Sequence, residues 1–129
     1  MQFTLADDFD IETFNNVVHD GRYDFSDVEY RADKRQLVVL LAKESCRLAS
    51  GADPALLIPK PGDFENFIDH IKVVFEGVVD YAMKDEAQIE VGDIANVSLS
   101  NGNVIVAGGI PVTLTITMAS PFVVTVQRV

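Results

Sequence analysis

The spacing of apolar and polar positions changes character several times along the chain. Ile11, Phe14 and Val18 recur at three- and four-residue intervals behind Asp10. That spacing predicts a short helix from about Asp10 to Val18, with acids at the positive end of its dipole and the His19-Asp20-Gly21 turn closing it. Val28, Tyr30 and Ala32 then alternate with Asp27, Glu29 and Arg31, the pattern of a half-buried strand. Leu37 to Ala42 is unbroken apolar sequence, as a strand covered on both faces requires, and Asp33-Lys34-Arg35 offers a polar turn between the two. Together they form a hairpin whose second strand lies deeper.

Glu44 to Asp63 reads as a long connection. Gly51, Pro54, Pro59, Pro61 and Gly62 interrupt any extended element there, leaving room for one helical turn over Pro54 to Ile58. Ile71, Val73 and Phe75 begin another strand, and Gly77 interrupts a pattern that Val78 to Met83 resumes, which predicts a β-bulge. After the polar Lys84-Asp85-Glu86 the C-terminal third is a series of strands. Ala95, Val97 and Leu99 alternate with polar residues, and Asn101-Gly102 is the pair a type I′ hairpin turn favours, because both central residues need positive φ. Val104 to Ala107 return antiparallel, and Gly108-Gly109 turn again. Val112, Leu114, Ile116 and Met118 alternate with Thr113, Thr115 and Thr117, Ser120-Pro121 break the pattern, and Phe122, Val124 and Val126 follow. The expected fold is a β-rich α+β domain over residues 1–129, with a short N-terminal helix beside an antiparallel sandwich or strongly curved sheet of about seven strands. Parallel βαβ winding is excluded because helices do not alternate with strands.

Composition agrees with a packed single domain: of 129 residues 48% are hydrophobic and 23% charged, which separates the chain from disordered sequences. The lone Cys46 cannot form an internal disulfide, so the core must hold the fold. The start, MQFTLADDFD, has no basic n-region or apolar h-region, and no apolar run reaches the roughly 18 residues of a membrane span. A cytoplasmic protein with no membrane contact is expected.

Charge narrows the partners. The formal charge is -10, which repels phosphate backbones and argues against nucleic acid. Residues 1–33 carry Asp7, Asp8, Asp10, Glu12, Asp20, Asp24, Asp27, Glu29 and Asp33 against only Arg22 and Arg31. From Ile94 onward the one charged side chain is Arg128, so this third is either core or contact surface. The acidic quarter suits a basic protein partner, since clustered charge of one sign speeds association with its complement. Asp20, Tyr23, Asp24, Asp27 and Glu29 are the expected contact residues, Tyr23 serving as an aromatic anchor among carboxylates. The neutral C-terminal strands, protected at their edges only by Pro111 and Pro121, point to a homodimer through a two-fold interface.

Residues for catalysis are few. His19, Asp20, His70 and Cys46 are the candidates. Adjacent strand residues point to opposite faces, so Asp69 is not placed to orient His70. Cys46 would need His19 or His70 as a base, or Lys43 and Arg47 to lower its pKa. No HExxH, CxxC or HxH spacing supports a metal site. The pair His19-Asp20 occurs in the metal-dependent phosphohydrolases named for an HD dipeptide, but those are all-helical and use further His and Asp ligands that this chain lacks. No GxGxxG, P-loop or GxSxG pattern implies a cofactor.

The helix ending in His19-Asp20-Gly21, the hairpin Val28-x-Tyr30 to Leu37-Val-Val-Leu-Leu, and Ile71-x-Val73-x-Phe75-x-Gly77-Val78 together resemble several families of small acidic bacterial proteins, some assigned as immunity proteins of toxin systems. The resemblance covers roughly residues 14–80, its motifs are short, and the Pro-containing connection departs from the pattern. It implies a cytoplasmic binding protein and transfers no catalytic residue. The expected function is therefore a non-enzymatic binding protein of inhibitor or immunity type. The alternatives are a small hydrolase or metal-assisted enzyme built around His19, Asp20 and His70, and a structural or assembly protein.

Overall fold

A computed structural model describes residues 1–49, 58 and 60–129. The described residues form one helix of three turns and two antiparallel sheets, a β-rich α+β sandwich. The order along the chain is β1 (Gln2–Thr4), α1 (Asp8–Val18), β2 (Arg22–Asp24), a 3₁₀ turn (Phe25–Asp27), β3 (Val28–Arg31), β4 (Gln36–Leu48), a 3₁₀ turn (Pro61–Asp63), β5 (Phe64–Phe75), β6 (Val78–Lys84), β7 (Val91–Asp93), β8 (Asn96–Ser100), β9 (Asn103–Ala107), β10 (Thr113–Met118) and β11 (Val123–Arg128). The larger sheet runs β1-β11-β5-β4-β2-β7, with β3 also paired to β4, and the smaller runs β6-β10-β9-β8. Their inner faces meet in one core that includes Leu37, Val39, Leu41, Val73 and Phe75 from the larger sheet and Val97, Val104, Val106, Leu114 and Ile116 from the smaller. Alternation in β9 and β10 sends these apolar residues inward and the threonines outward, as their spacing requires.

Helix α1 begins two residues earlier than its apolar spacing predicts, because Asp7 caps it: the Asp7 carboxylate accepts from the Asp10 N–H at 2.9 Å. Phe14 and Val18 enter the core, where Phe14 meets the edge of Phe75 and the tilted ring of Phe3. At the other end the Lys43 ammonium donates to the carbonyls of Asn16 and Val17, placing a cation at the negative end of the dipole.

Two expectations change. The connection between β4 and β5 begins later than expected, for residues 44–48 belong to β4 and β5 starts at Phe64, the two strands pairing in register from Leu37↔Phe75 to Leu48↔Phe64. Their distal halves form an arm with solvent on both faces, so its polar alternation resembles a loop. It is held by cross-strand pairs such as Arg47, which donates to Glu65 at 2.7 Å and sits 4.8 Å over the Phe67 ring. The helical turn expected at Pro54 to Ile58 falls on residues 54–57, outside the described residues. Gly77 is no bulge within a strand. With φ +65 it turns the chain from β5 in one sheet to β6 in the other, and the register shift lies instead between β6 and β10 at Thr117/Met118.

The hairpin at Asn101-Gly102 has positive φ at both residues and joins β8 to β9. β9 and β10 are interior strands, and the smaller sheet's edges, β6 and β8, are met from within the chain. The Tyr30 hydroxyl donates to Val78 O at 3.0 Å on β6, and the Asn15 amide bonds both backbone groups of Val97 on β8. Side chains distant in sequence thus meet one end of each of these edges, for which the sequence offers only Pro111 and Pro121. Among the described residues no helix is long and apolar enough to cross a membrane.

Candidate functional site

Asp20, Asp24, Asp27 and Glu29, four of the N-terminal acids, lie on or beside the outward face of the larger sheet. On β4 the odd-numbered Leu37, Val39 and Leu41 point to the core, so Leu40, Ala42 and Glu44 point outward. On β2 the buried Tyr23 points inward, which turns Arg22 and Asp24 out. Glu29 stands opposite Val38 on β3 and so shares that outer side.

Three shallow depressions cross this face and share lining residues. One, of about 480 Å³, is lined by Asp20, Arg22, Ala42, Glu44, Ile68 and Asp93. Ala42 also lines the next, of about 240 Å³, with His70, Leu40, Asp27 and Val129. Leu40, Asp27 and Val129 continue into the third, of about 300 Å³, with Ser26, Glu29, Arg31 and Lys72. The result is a trough with exposed apolar side chains at Leu40 and Ile68, which are 41% and 51% exposed, and carboxylates along its length. Arg31 pairs with Glu29 at 3.3 Å, and Lys72 and Arg22 are its other cations.

Asp20, Asp27 and Glu29 of the sequence-derived contact residues line this trough, and Asp24 is exposed beside it on β2. Tyr23 is a correction. Its side chain is 2% exposed and packs in the core opposite Gly92, so it cannot serve as a surface anchor. The aromatic ring covers a glycine that has no room for a Cβ, since a Cβ there would overlap the ring's Cζ and hydroxyl. Burial, helped by the nearby Asp93 charge, pushes the phenol pKa up to about 12. Its hydroxyl finds no hydrogen-bond partner among the described residues.

The catalytic candidates do not come together. His19 caps α1 at its C-terminus and pairs with Asp20, Nδ1 to Oδ2 at 3.2 Å, both side chains in solvent. His70 lies in the middle depression, whereas Asp20 lies at one end of the trough. Asp69 turns to the opposite face from His70, as strand geometry predicts, and meets Arg128 at 3.4 Å. Cys46 is exposed and pairs in register with Asn66, two same-face positions along β5 from His70, about 13 Å at the strand rise. Lys43 and Arg47 point to the other face and are engaged with α1, Glu65 and Phe67, so neither acts on the thiol. Among the described residues no three His, Cys, Asp or Glu side chains are placed to hold a metal ion.

Sequence reasoning missed Asp93. It lines the trough but holds the following loop: Oδ1 accepts from Ile110 N–H at 2.8 Å and Oδ2 from Gly109 N–H at 3.1 Å. Gly108 fits against it only because it lacks a Cβ. The glycine pair signals a turn, but nothing local to it announces a carboxylate fifteen residues earlier. The trough itself was also hidden, because its lining comes from β2, β3, β4, β5, β7 and the 3₁₀ turn after β2, with Asp20 and Val129 from outside the strands.

No protein-family model, curated protein or solved structure matches the chain.

Proposed function

We propose that the protein is a non-enzymatic binding protein, of inhibitor or immunity type, that receives a basic protein partner on the outer face of its larger sheet. The observation that carries this reading is the convergence of Asp20, Asp27 and Glu29, with Glu44 and Asp93, on a trough whose exposed apolar side chains are Leu40, Ile68 and Val129. An apolar centre bordered by charge is the usual anatomy of a protein interface, and an excess of one sign raises the association rate of a complementary partner. The proposal includes the expected kinship with immunity proteins and a cytoplasmic location.

Affinity capture from the native lysate tests it with the variant Asp20→Asn/Asp24→Asn/Asp27→Asn/Glu29→Gln beside wild type. A basic protein held by wild type and released by the variant, whose association slows as salt rises from about 0.05 to 0.5 M, is the expected result. A partner captured equally by both, with a salt-independent on-rate, contradicts the reading. Replacing His19, which lies outside the trough, with Ala should leave capture intact, where a hydrolase built on His19, Asp20 and His70 would lose its activity.

Self-association is a second and independent proposal, supported by the nearly uncharged C-terminal third. Since β9 and β10 are interior strands and both sheet edges carry contacts from Tyr30 and Asn15, the contact would use the face of the smaller sheet.

A further inference from the structure

The geometry points to a specific two-fold contact between copies of this chain, made by the outer face of the smaller sheet with its axis along one row of side chains. It rests on the self-association reading and names its surface. Strand register sets the row: Ser98 stands opposite Ile105, Ile105 opposite Thr115, and Thr115 opposite Ala82, one residue from each of the four strands. All four are uncharged and none is buried. The inner face is occupied by core residues such as Val97, Val104, Leu114 and Ile116, so this row looks to solvent.

Charge makes the face complementary to itself. Within its strands the charged side chains are Asp80 and Lys84, which lie on β6 two residues to either side of Ala82, opposite Thr117 and Thr113, and Lys84 also meets Glu86, just past the strand end, at 3.6 Å. A half-turn about the row lays each strand end for end over its counterpart. Asp80 then lies over Lys84 of the partner subunit, and Lys84 over the partner's Asp80, while Thr117 lies over the partner's Thr113. The two opposite charges are thus paired twice by one symmetry operation. The outer face of the larger sheet would instead set Asp20, Asp24, Asp27 and Glu29 against their own copies. A foreign partner gains nothing from the neutral face by electrostatic steering, whereas a second copy of charge -10 can approach here with each Asp80 facing the partner's Lys84 and with the acidic face of the larger sheet turned away. With three outward positions on each of four strands, the face is smaller than the roughly 20–30 residues a side of a standard interface. The association is therefore reversible and concentration-dependent.

Sedimentation equilibrium on the full chain tests this. Wild type should pass from 14.1 kDa toward twice that mass as concentration rises from about 10 µM to about 1 mM. Thr115→Arg places two like charges on the axis and should weaken association about tenfold or more, and Lys84→Glu should do the same by setting Glu against Asp80. The swap Asp80→Lys/Lys84→Glu restores the pairing across the axis and should recover most of the association lost in Lys84→Glu, a rescue that loss of folding could not mimic. A monomer at every concentration overturns self-association altogether. A dimer indifferent to Thr115→Arg and to the charge swap overturns this surface while leaving self-association standing.

Discussion

Asn15 and Val97 are joined as neighbouring strands are joined: the Asn15 Oδ1 accepts from Val97 N–H at 2.7 Å and its Nδ2 donates to Val97 O at 2.8 Å. One helical side chain thus satisfies both backbone groups of an edge residue 82 positions away. It ties α1, which packs on β1 of the larger sheet, to β8 of the smaller one. The same amide also donates to Ile11 O at 3.0 Å, fixing its orientation within the helix.

Asn15→Leu removes both bonds and leaves the Val97 N–H and C=O without partners near the core. The expected loss is about 2–3 kcal/mol, read as a lower denaturant midpoint at unchanged slope, with faster hydrogen exchange at Val97. A midpoint equal to wild type would mean that packing of Phe14 and Val18 alone holds the helix.

Tyr23 makes stability fall at alkaline pH. Its pKa is about 12 in the folded protein against about 10 in the unfolded chain. Below pH 10 the phenol is neutral in both states and contributes no pH dependence. Between about pH 10 and 12 the unfolded state loses its proton while the folded state keeps it, so stability declines, by about 3 kcal/mol in all. Tyr23→Phe should abolish this component of the alkaline loss and, by removing an unpartnered hydroxyl, raise stability at neutral pH by about 1 kcal/mol. Lower stability of the Phe variant at pH 7 would show that the hydroxyl has a partner worth keeping.

Gly92→Ala forces a methyl group into the space of the Tyr23 ring. Overpacking of this kind costs about 1–3 kcal/mol, and Tyr23→Leu in the same chain should recover part of it. A double-mutant cycle on thermal unfolding should give a coupling above about 0.5 kcal/mol between the two sites. Strictly additive costs would place the clash elsewhere.

Much of this fold was legible because its core strands alternate cleanly. Leu114 and Ile116 against Thr113, Thr115 and Thr117 identify β10, and Asn101-Gly102 fixes the β8–β9 hairpin. Helix α1 was legible from Ile11, Phe14 and Val18. What escaped had physical reasons. β1, β2 and β7 are three residues long, too short for any alternation to register. The β4–β5 arm buries neither face, so its strands lack an apolar side. Gly77 shows as a break in periodicity whether a strand bulges or changes sheet, and only the partners of β5 and β6 distinguish the two. For the candidate site, sequence located the acids but not their convergence, and it misplaced Tyr23. In a segment of three residues nothing local tells which way the ring turns, and its inward position depends on Gly92, nearly seventy residues later.

The central claim, an acidic receiving face on the larger sheet, is tested most directly by following backbone amide resonances as a lysine-rich peptide is added at about 0.05 M salt. The claim requires the largest shifts at residues 20–31, Leu40 and Ala42, lost at about 0.5 M salt as exposed charges are screened, and absent in the Asp20→Asn/Asp24→Asn/Asp27→Asn/Glu29→Gln variant. Shifts confined to the acids of α1, or spread evenly over the surface and retained by the variant, would contradict it.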